Sequence, residues 1–161
     1  MAIRIVLLTG RHDRTTFDCG EPSLNDWLAR RARQQQEKNY VRTRVVVDDE
    51  SPAKILGLYS LVVHEIDTTQ SRLPISKNLP NRLSCMLLAR LAVDISSQGR
   101  GLAKLMLVDA IARTRATIAE AAGIGLMVAA LHEPAAAFYR AFGFEGFKDD
   151  PLRMFLRVDW P

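Results

Sequence analysis

The chain has 161 residues, 48% hydrophobic and 25% charged, with nine glycines and seven prolines, which predicts a single folded domain over 1–161 and excludes disordered, collagen-like and disulfide-scaffold chains. Lys and Arg number 22 against 18 Asp and Glu, a formal net charge of +4. No run reaches the roughly 18 apolar residues of a membrane span and the opening apolar run is too short for a secretory signal, so a cytoplasmic location without membrane contact is expected.

Ile3 to Leu8 is a short β-branched run that predicts a strand. After the punctuating segment Phe17-Asp18-Cys19-Gly20-Glu21-Pro22-Ser23, residues Leu24, Trp27, Leu28 and Ala32 recur at helical spacing, so a first amphipathic helix starts near Ser23. Val41 and Val45 to Val47, a polar loop at Asp48 to Pro52, and Ile55 to Ile66 read as a hairpin. Asp67 to Ser84, with Pro74 and Pro80, reads as a long loop. Cys85 to Val93 is apolar except at Arg90 and predicts a strand covered on both faces. A polar turn follows, and Gly99-Arg100-Gly101 opens a long helix whose apolar stripe is Leu102, Leu105, Met106, Val108, Ile111 and Ala112, closed by Gly123. Ile124 to Leu131 predicts a strand, Glu133-Pro134 a helix ending at Gly143, and Phe144 to Phe147 with Met154 to Val158 two closing strands. Hairpins and one crossover make this an α/β mixed sheet of about six to seven strands flanked by about four helices.

Cys19 and Cys85 lie far apart, without a CxxC or paired histidines, so neither a metal nor a redox role is expected. Leu28 to Arg44 collects Arg30, Arg31, Arg33, Lys38, Arg42 and Arg44 against the single acid Glu37. Such a run is either a solvated face or a phosphate-binding footprint, and composition does not choose between them. The sharpest signal is the junction Leu91-Ala92-Val93-Asp94-Ile95-Ser96-Ser97-Gln98-Gly99-Arg100-Gly101-Leu102-Ala103. Glycines after a buried strand let the backbone approach a ligand, and the free amides of the next helix favour an anion. The pattern is neither GxxxxGK[ST] nor GxGxxG, and a plain tight turn is the other reading.

Gln98-Gly99-Arg100-Gly101-Leu102-Ala103 resembles the Q/R-x-x-G-x-G/A motif of GNAT acetyltransferases, which holds the diphosphate of acetyl-coenzyme A. Ala137-Phe138-Tyr139-Arg140-Ala141-Phe142-Gly143-Phe144 is similar to the family's second signature, whose tyrosine lies beside the cofactor sulfur. Phe17 to Leu28, Ala89 to Asp94 and Gln98 to Gly101 further resemble the GNAT toxins of toxin–antitoxin modules. That resemblance implies acetylation of the α-amine on aminoacyl-tRNA, a block of translation, a small DNA-binding antitoxin and a homodimer. It assigns the acetyl-CoA contacts to Leu91, Ala92 and Val93, to Gln98 through Ala103, and to Phe138 and Tyr139, with Tyr139 as general acid. Arg30, Arg31, Arg33, Lys38, Arg42, Arg44 and Arg90 then become the tRNA contacts, Arg90 having a structural ion pair as its other reading. Ala129 departs from the pattern, standing where a histidine or other polar group is expected.

The visible candidates for a general base are His64 and Glu65, ahead of His12 and His132, although a strand-end pair also reads as solvated surface. An α-amine, with a pKa of about 7.7 to 8.0, needs less help than a lysine near about 10.4. The competing readings are an acetyltransferase of a small amine or a protein N-terminus, and a module that binds coenzyme A or an antitoxin without chemistry.

Overall fold

The computed structural model describes residues 2–75 and 78–158. Its strands are β1 (Ile3–Leu7), β2 (Arg42–Asp48), β3 (Gly57–Asp67), β4 (Arg82–Val93), β5 (Gly125–Ala129), β6 (Glu145–Gly146) and β7 (Arg153–Arg157). The α-helices are α1 (Pro22–Arg30), α2 (Ala32–Glu37), α3 (Leu102–Ala121) and α4 (Glu133–Arg140), with a 3-10 turn at Ile95–Ser97. The strands form one mixed sheet, as the patterning predicts, and the structure orders them β1-β2-β3-β4-β5-β7-β6. No helix among the described residues is long and apolar enough to cross a membrane. The chain divides into two compact units, one built from the chain up to Val62 with Arg90–Ala110, the other from Val63–Ala89 with the chain from Ile111 onward.

In the first unit, β2 pairs antiparallel with β1, from Ile3↔Asp48 to Leu7↔Arg44, and with β3, from Arg42↔Leu61 to Val46↔Gly57. Phe17, Trp27, Leu28, Ala32, Val45, Val47 and Leu58 make its core. Each large side chain buried there contributes about 1.5–3 kcal/mol. The sequence predicts one continuous helix through Ala32, but the chain breaks at Arg31, where φ is −126°. The break lets α2 bury Ala32 and turn Gln36 onto the strand ends, where its Nε2 donates to the Leu8 carbonyl and its Oε1 accepts from the Thr43 N–H, each at 2.6 Å. The strand predicted from Ile55 begins at Gly57.

In the second unit, Ile66, Leu73, Leu83, Cys85, Met127, Phe147 and Phe155 form the core. β5 pairs with β7 antiparallel, and with β4 parallel only over Met86–Leu88. The predicted loop from Asp67 to Ser84 is shorter: β3 includes Asp67, β4 starts at Arg82, and Ser76 and Lys77 lie outside the described residues. Its first part is tied to the core: Leu73 is buried and the Arg72 N–H donates to Asp149 at 2.9 Å. The strand predicted at Phe144 to Phe147 shrinks to Glu145–Gly146, since both phenylalanines turn into the core.

Two details of α3 differ from the sequence pattern. Its buried row is Leu102, Met106, Leu107, Ala110, Thr114 and Ile118, while Leu105 and Val108 are exposed. The residue that takes the left-handed conformation directly after it is Ala122, at φ 66°, not Gly123.

Candidate active site

In the first unit, the end of β4 and the start of α3 build the predicted turn. The pairing of β4 with β5 stops at Leu88, whereas β4 runs on through the half-buried Leu91, Ala92 and Val93. Backbone groups on a strand edge released in this way are available to a ligand. Gly99 and Gly101 both adopt φ +77°, and a β-carbon at either would meet nothing within 4 Å. Conformation rather than crowding therefore requires glycine, and the space above the turn is open. The first N–H groups of α3 have no intrahelical partner and add the positive end of the helix dipole. Leu102 spends its side chain in the core, Ala103 is half-buried, and Arg100 is exposed. The Gln98 side chain donates from Nε2 to the Val93 carbonyl at 3.1 Å, closing the loop from within.

Sequence reasoning did not single out Asp94, which fixes this turn. The Asp94 side chain is buried and accepts from the Asp18 N–H at 2.9 Å, the Ser96 N–H at 3.0 Å and the Ser96 hydroxyl. Its own N–H donates to Leu56, and the Ile95 N–H donates to the Asp18 carbonyl. Asp18 in turn accepts from the Gly20 N–H and the Asn25 side chain, whose oxygen accepts from the Cys19 N–H. The loop from Phe17 to Asn25 and the start of the glycine turn are thus one hydrogen-bonded body. Burial alone would raise the Asp94 pKa, but the hydrogen bonds from Ser96 and Asp18 and the charge of Lys54 hold it below the usual carboxylate value. The available signal was an aspartate at a strand end two residues before a serine, a pattern that caps turns.

In the second unit, α4 presents Tyr139. Its start is fixed by His132, whose Nδ1 accepts from the Ala135 N–H at 3.1 Å, and by Pro134 in the first turn. Tyr139 is buried, with its ring centroid 5.3 Å from Phe138 and 5.5 Å from Phe144. Phe138 also packs on Phe142. Among the described residues nothing hydrogen-bonds to the Tyr139 hydroxyl, and Arg14 Nε is the one partnerless side-chain polar atom sealed from solvent. The phenolic oxygen is therefore unpaired yet accessible. Burial pushes its pKa up to about 12, so the group keeps its proton at any physiological pH.

Of the four predicted base candidates, three have other duties. His132 caps α4, the His12 Nδ1 accepts from the Thr9 N–H at 3.0 Å, and Glu65 pairs with Arg82 at 2.9 Å. His64 is half-buried, and burial together with the charge of Arg153 lowers its pKa, which keeps the imidazole neutral near pH 7. Arg153 is itself held by Ser71 at 3.1 Å and by the Phe147 ring, 4.5 Å away. Ala129 ends β5 as an exposed methyl.

Residues 35–146 match the acetyltransferase (GNAT) domain model. The chain belongs to the GNAT acetyltransferase family. It is 38% identical over 147 residues to a tRNA-acetylating toxin of Mycobacterium tuberculosis (strain ATCC 25618 / H37Rv), covering 89% of this chain and 85% of that protein. Among solved structures it is similar to AtaT complexed with acetyl-methionyl-tRNAfMet, at 26% identity and a TM-score of 0.88, covering 97% of this chain and 95% of that one. A mutant AtaT toxin bound to the C-terminus of the antitoxin AtaR and acetyl-CoA matches at 25% identity and a TM-score of 0.80, over 96% and 92% of the two chains.

The cations of this GNAT domain predicted to meet tRNA are not equivalent. Arg30 pairs with Asp26 at 2.9 Å and Arg33 with Glu37 at 3.0 Å, both along the helix and exposed. Such pairs are worth little in stability but cancel much of the local field. Arg42 donates to Asn39 at 2.7 Å and Lys38 lies 6.0 Å from the Tyr40 ring centroid. Arg31 is exposed at the helix break, and Arg44 is half-buried on β2. Arg90 stands apart from the run, stacked on Trp27. Among the described residues no carboxylate pairs with it, the ion pair being the other sequence reading of Arg90.

Proposed function

We propose that this GNAT domain transfers the acetyl group of acetyl-CoA to the α-amine of the amino acid on charged tRNA, removing that tRNA from translation, and that a small antitoxin protein neutralises it. The observation that carries the acceptor is the 38% identity with a tRNA-acetylating toxin along 89% of the chain. The same reading takes residues 1–161 as one domain, the protein as a cytoplasmic homodimer and the antitoxin as the DNA-binding partner. It is supported by the family resemblance.

Acetyl-CoA supplies the activated acetyl thioester, and the residues present fit it. The open glycines at φ +77° leave room for a diphosphate against the backbone. N–H groups at the α3 start favour its charge. We assign the diphosphate to Gln98 through Ala103 and the acyl arm to the Leu91–Val93 edge, whose backbone orients the carbonyl and donates to the oxygen as it gains charge. Tyr139, with Phe138 packed on it, holds a proton on its phenolic oxygen for the departing sulfur. A phenol near 12 is a weaker acid than a thiol, at about 8.5, so the proton is shared as the carbon–sulfur bond breaks and is not released beforehand. The attacking amine needs no strong base at about 7.7 to 8.0. A neutral His64 is the candidate to take its second proton. Arg31, Lys38, Arg42, Arg44 and Arg90, with the more neutralised Arg30 and Arg33, are assigned to the tRNA backbone.

The test is transfer of labelled acetyl from acetyl-CoA to a pool of charged tRNA, with deacylated tRNA and the Tyr139→Phe variant alongside. Label on charged tRNA alone, reduced about 100-fold or more in the variant while acetyl-CoA binding persists, is the expected result. Cofactor turnover without label on tRNA would mark a small-amine or protein N-terminal acetyltransferase.

A further inference from the structure

Arg90 is the charged residue in the otherwise apolar second half of β4, and the first unit accommodates it in an unusual way. Its guanidinium carbon lies 3.7 Å from the centre of the Trp27 ring. Trp27 is itself buried, and its indole N–H donates to Gln35 Oε1 at 3.0 Å, which fixes the ring from α2. Among the described residues no carboxylate pairs with Arg90, whereas Arg30 and Arg33 each have one within 3.0 Å. Burial lowers the Arg90 pKa, as expected of a half-desolvated cation without a counter-charge. A ring face satisfies the flat side of a guanidinium but none of its N–H groups, and the fork in its plane stays set for two oxygens of one anion.

We propose that Arg90 is a phosphate seat for the polynucleotide acceptor and that Trp27, pinned by Gln35, is its positioning residue. The assignment of that phosphate to a nucleic acid rests on the acceptor reading above. The cofactor's diphosphate is the other source of the same chemistry. Arg90 precedes Asp94 by four residues of extended strand, about 13 Å at about 3.3 Å per residue, so it lies well back along β4 from the glycine turn that holds the diphosphate. Arg31, exposed at the break between α1 and α2, shares the unit with Trp27 and Gln35, whereas Arg30 and Arg33 are paired with carboxylates.

The experiment measures binding of deacylated tRNA by fluorescence anisotropy from 50 to 300 mM salt, and separately the KM for acetyl-CoA. One lost phosphate contact lowers the salt slope by roughly 0.7 to 0.9 and weakens binding about four- to fivefold near 0.15 M salt. Arg90→Gln shows both losses, with the acetyl-CoA KM within about twofold of wild type. Arg90→Lys keeps the slope, having kept the charge, and loses part of the affinity. Trp27→Leu weakens binding in the same direction, and the Arg90→Gln/Trp27→Leu double variant is no weaker than Arg90→Gln alone, a non-additivity that a merely structural tryptophan would not produce. Trp27→Phe, which keeps a ring face, recovers most of the affinity and serves if the leucine variant does not fold. An unchanged salt slope in Arg90→Gln, or an equal rise in the acetyl-CoA KM, overturns the proposal. Wild-type protein that binds tRNA yet acetylates no charged tRNA sinks the acceptor reading alone, and the slopes still judge the seat.

Discussion

Replacing Asp94 by asparagine removes the charge that holds the glycine turn to the Phe17–Asn25 loop while leaving the side chain nearly isosteric. One oxygen still accepts from the Asp18 N–H, 2.9 Å away in the wild-type chain, but the amide nitrogen takes the place of the oxygen that accepts from the Ser96 N–H and hydroxyl. The hydroxyl reverses its role and the Ser96 N–H faces another donor. One charge-assisted bond is lost and one weakened, so the cost is about 2–3 kcal/mol. At about 2–4 °C per kcal/mol for a chain of this size, the melting temperature falls by roughly 4–12 °C. Asp94→Ala, which strips all three bonds, costs about 3–5 kcal/mol.

The effect should be selective for cofactor binding. Loosening the loop on both sides of Asp94 makes acetyl-CoA order the turn on binding, which raises its KM about tenfold with a smaller change in kcat. Scanning calorimetry and a cofactor titration read the two effects. An Asp94→Asn protein melting within about 1 °C of wild type and binding acetyl-CoA within about twofold would refute the argument, because the clamp would then hold nothing. The pH dependence has a definite sign. The folded-state pKa is depressed below the unfolded value near about 3.9, so the contribution is fully present above that value and is lost as pH falls through the folded pKa. The gap between wild type and Asp94→Asn therefore persists across neutral pH and closes only in acid.

The Tyr139 phenol, raised to about 12, predicts a kcat that rises with the α-amine near about pH 8 and stays flat to about pH 10.5; an alkaline fall below pH 10 would remove Tyr139 as proton donor. Because that folded pKa exceeds the unfolded value of about 10, the stabilisation from the neutral phenol is lost between about pH 10 and 12, which denaturant titrations in that window would show as a steeper fall of the midpoint in wild type than in Tyr139→Phe, where the raised Cys85 thiol still contributes. Cys85 is buried and its thiol is pushed up to about 12, so native protein at pH 8 should leave it unalkylated while Cys19 reacts; mass spectrometry showing Cys85 modified first would contradict the packing. Gly99→Ala costs about 1–2 kcal/mol of backbone strain, since a methyl there meets nothing, whereas Gly125→Ala places its β-carbon 2.1 Å from the Leu156 carbonyl oxygen at φ +151° and should cost more than about 4 kcal/mol; equal denaturation midpoints for the two would contradict this difference.

The parts of the fold legible in the sequence are those where one local rule acts alone. β-branched runs gave β1 and β2, and proline in the first turn marked α4. The glycine pair was legible because a left-handed turn leaves other residues strained, so the conformation is written in the residue type. Errors came where tertiary packing chose between equal local options. Leu105 and Val108 have the same helical spacing as the buried row, and only the position of the sheet decides which row is covered. Phe144 and Phe147 look like strand residues on propensity, yet each is better used as a core plug than in a ladder. The break at Arg31 is invisible locally, since what accompanies it, the Gln36 side chain reaching two strand-end groups, is a tertiary contact.

At the site the same division holds, and it falls between charge that can be counted and charge that is placed. A run of six cations between Arg30 and Arg44 suggests a dense field, but Arg30 and Arg33 carry carboxylates one helical turn away, and only Glu37 stood out in the sequence as a counter-charge. Asp26 lies outside that run, although its spacing to Arg30 is what neutralises that arginine. Arg90, a single cation in an apolar strand, adds only one charge to the count, yet it is pre-oriented by a buried ring and among the described residues no carboxylate pairs with it. An exposed, paired arginine must first give up its partner and its rotamer freedom before it holds a phosphate; Arg90 has met both costs in the fold. The acceptor affinity of this face should accordingly depend more on Arg90 than on either Arg30 or Arg33, although the sequence would rank them in the opposite order.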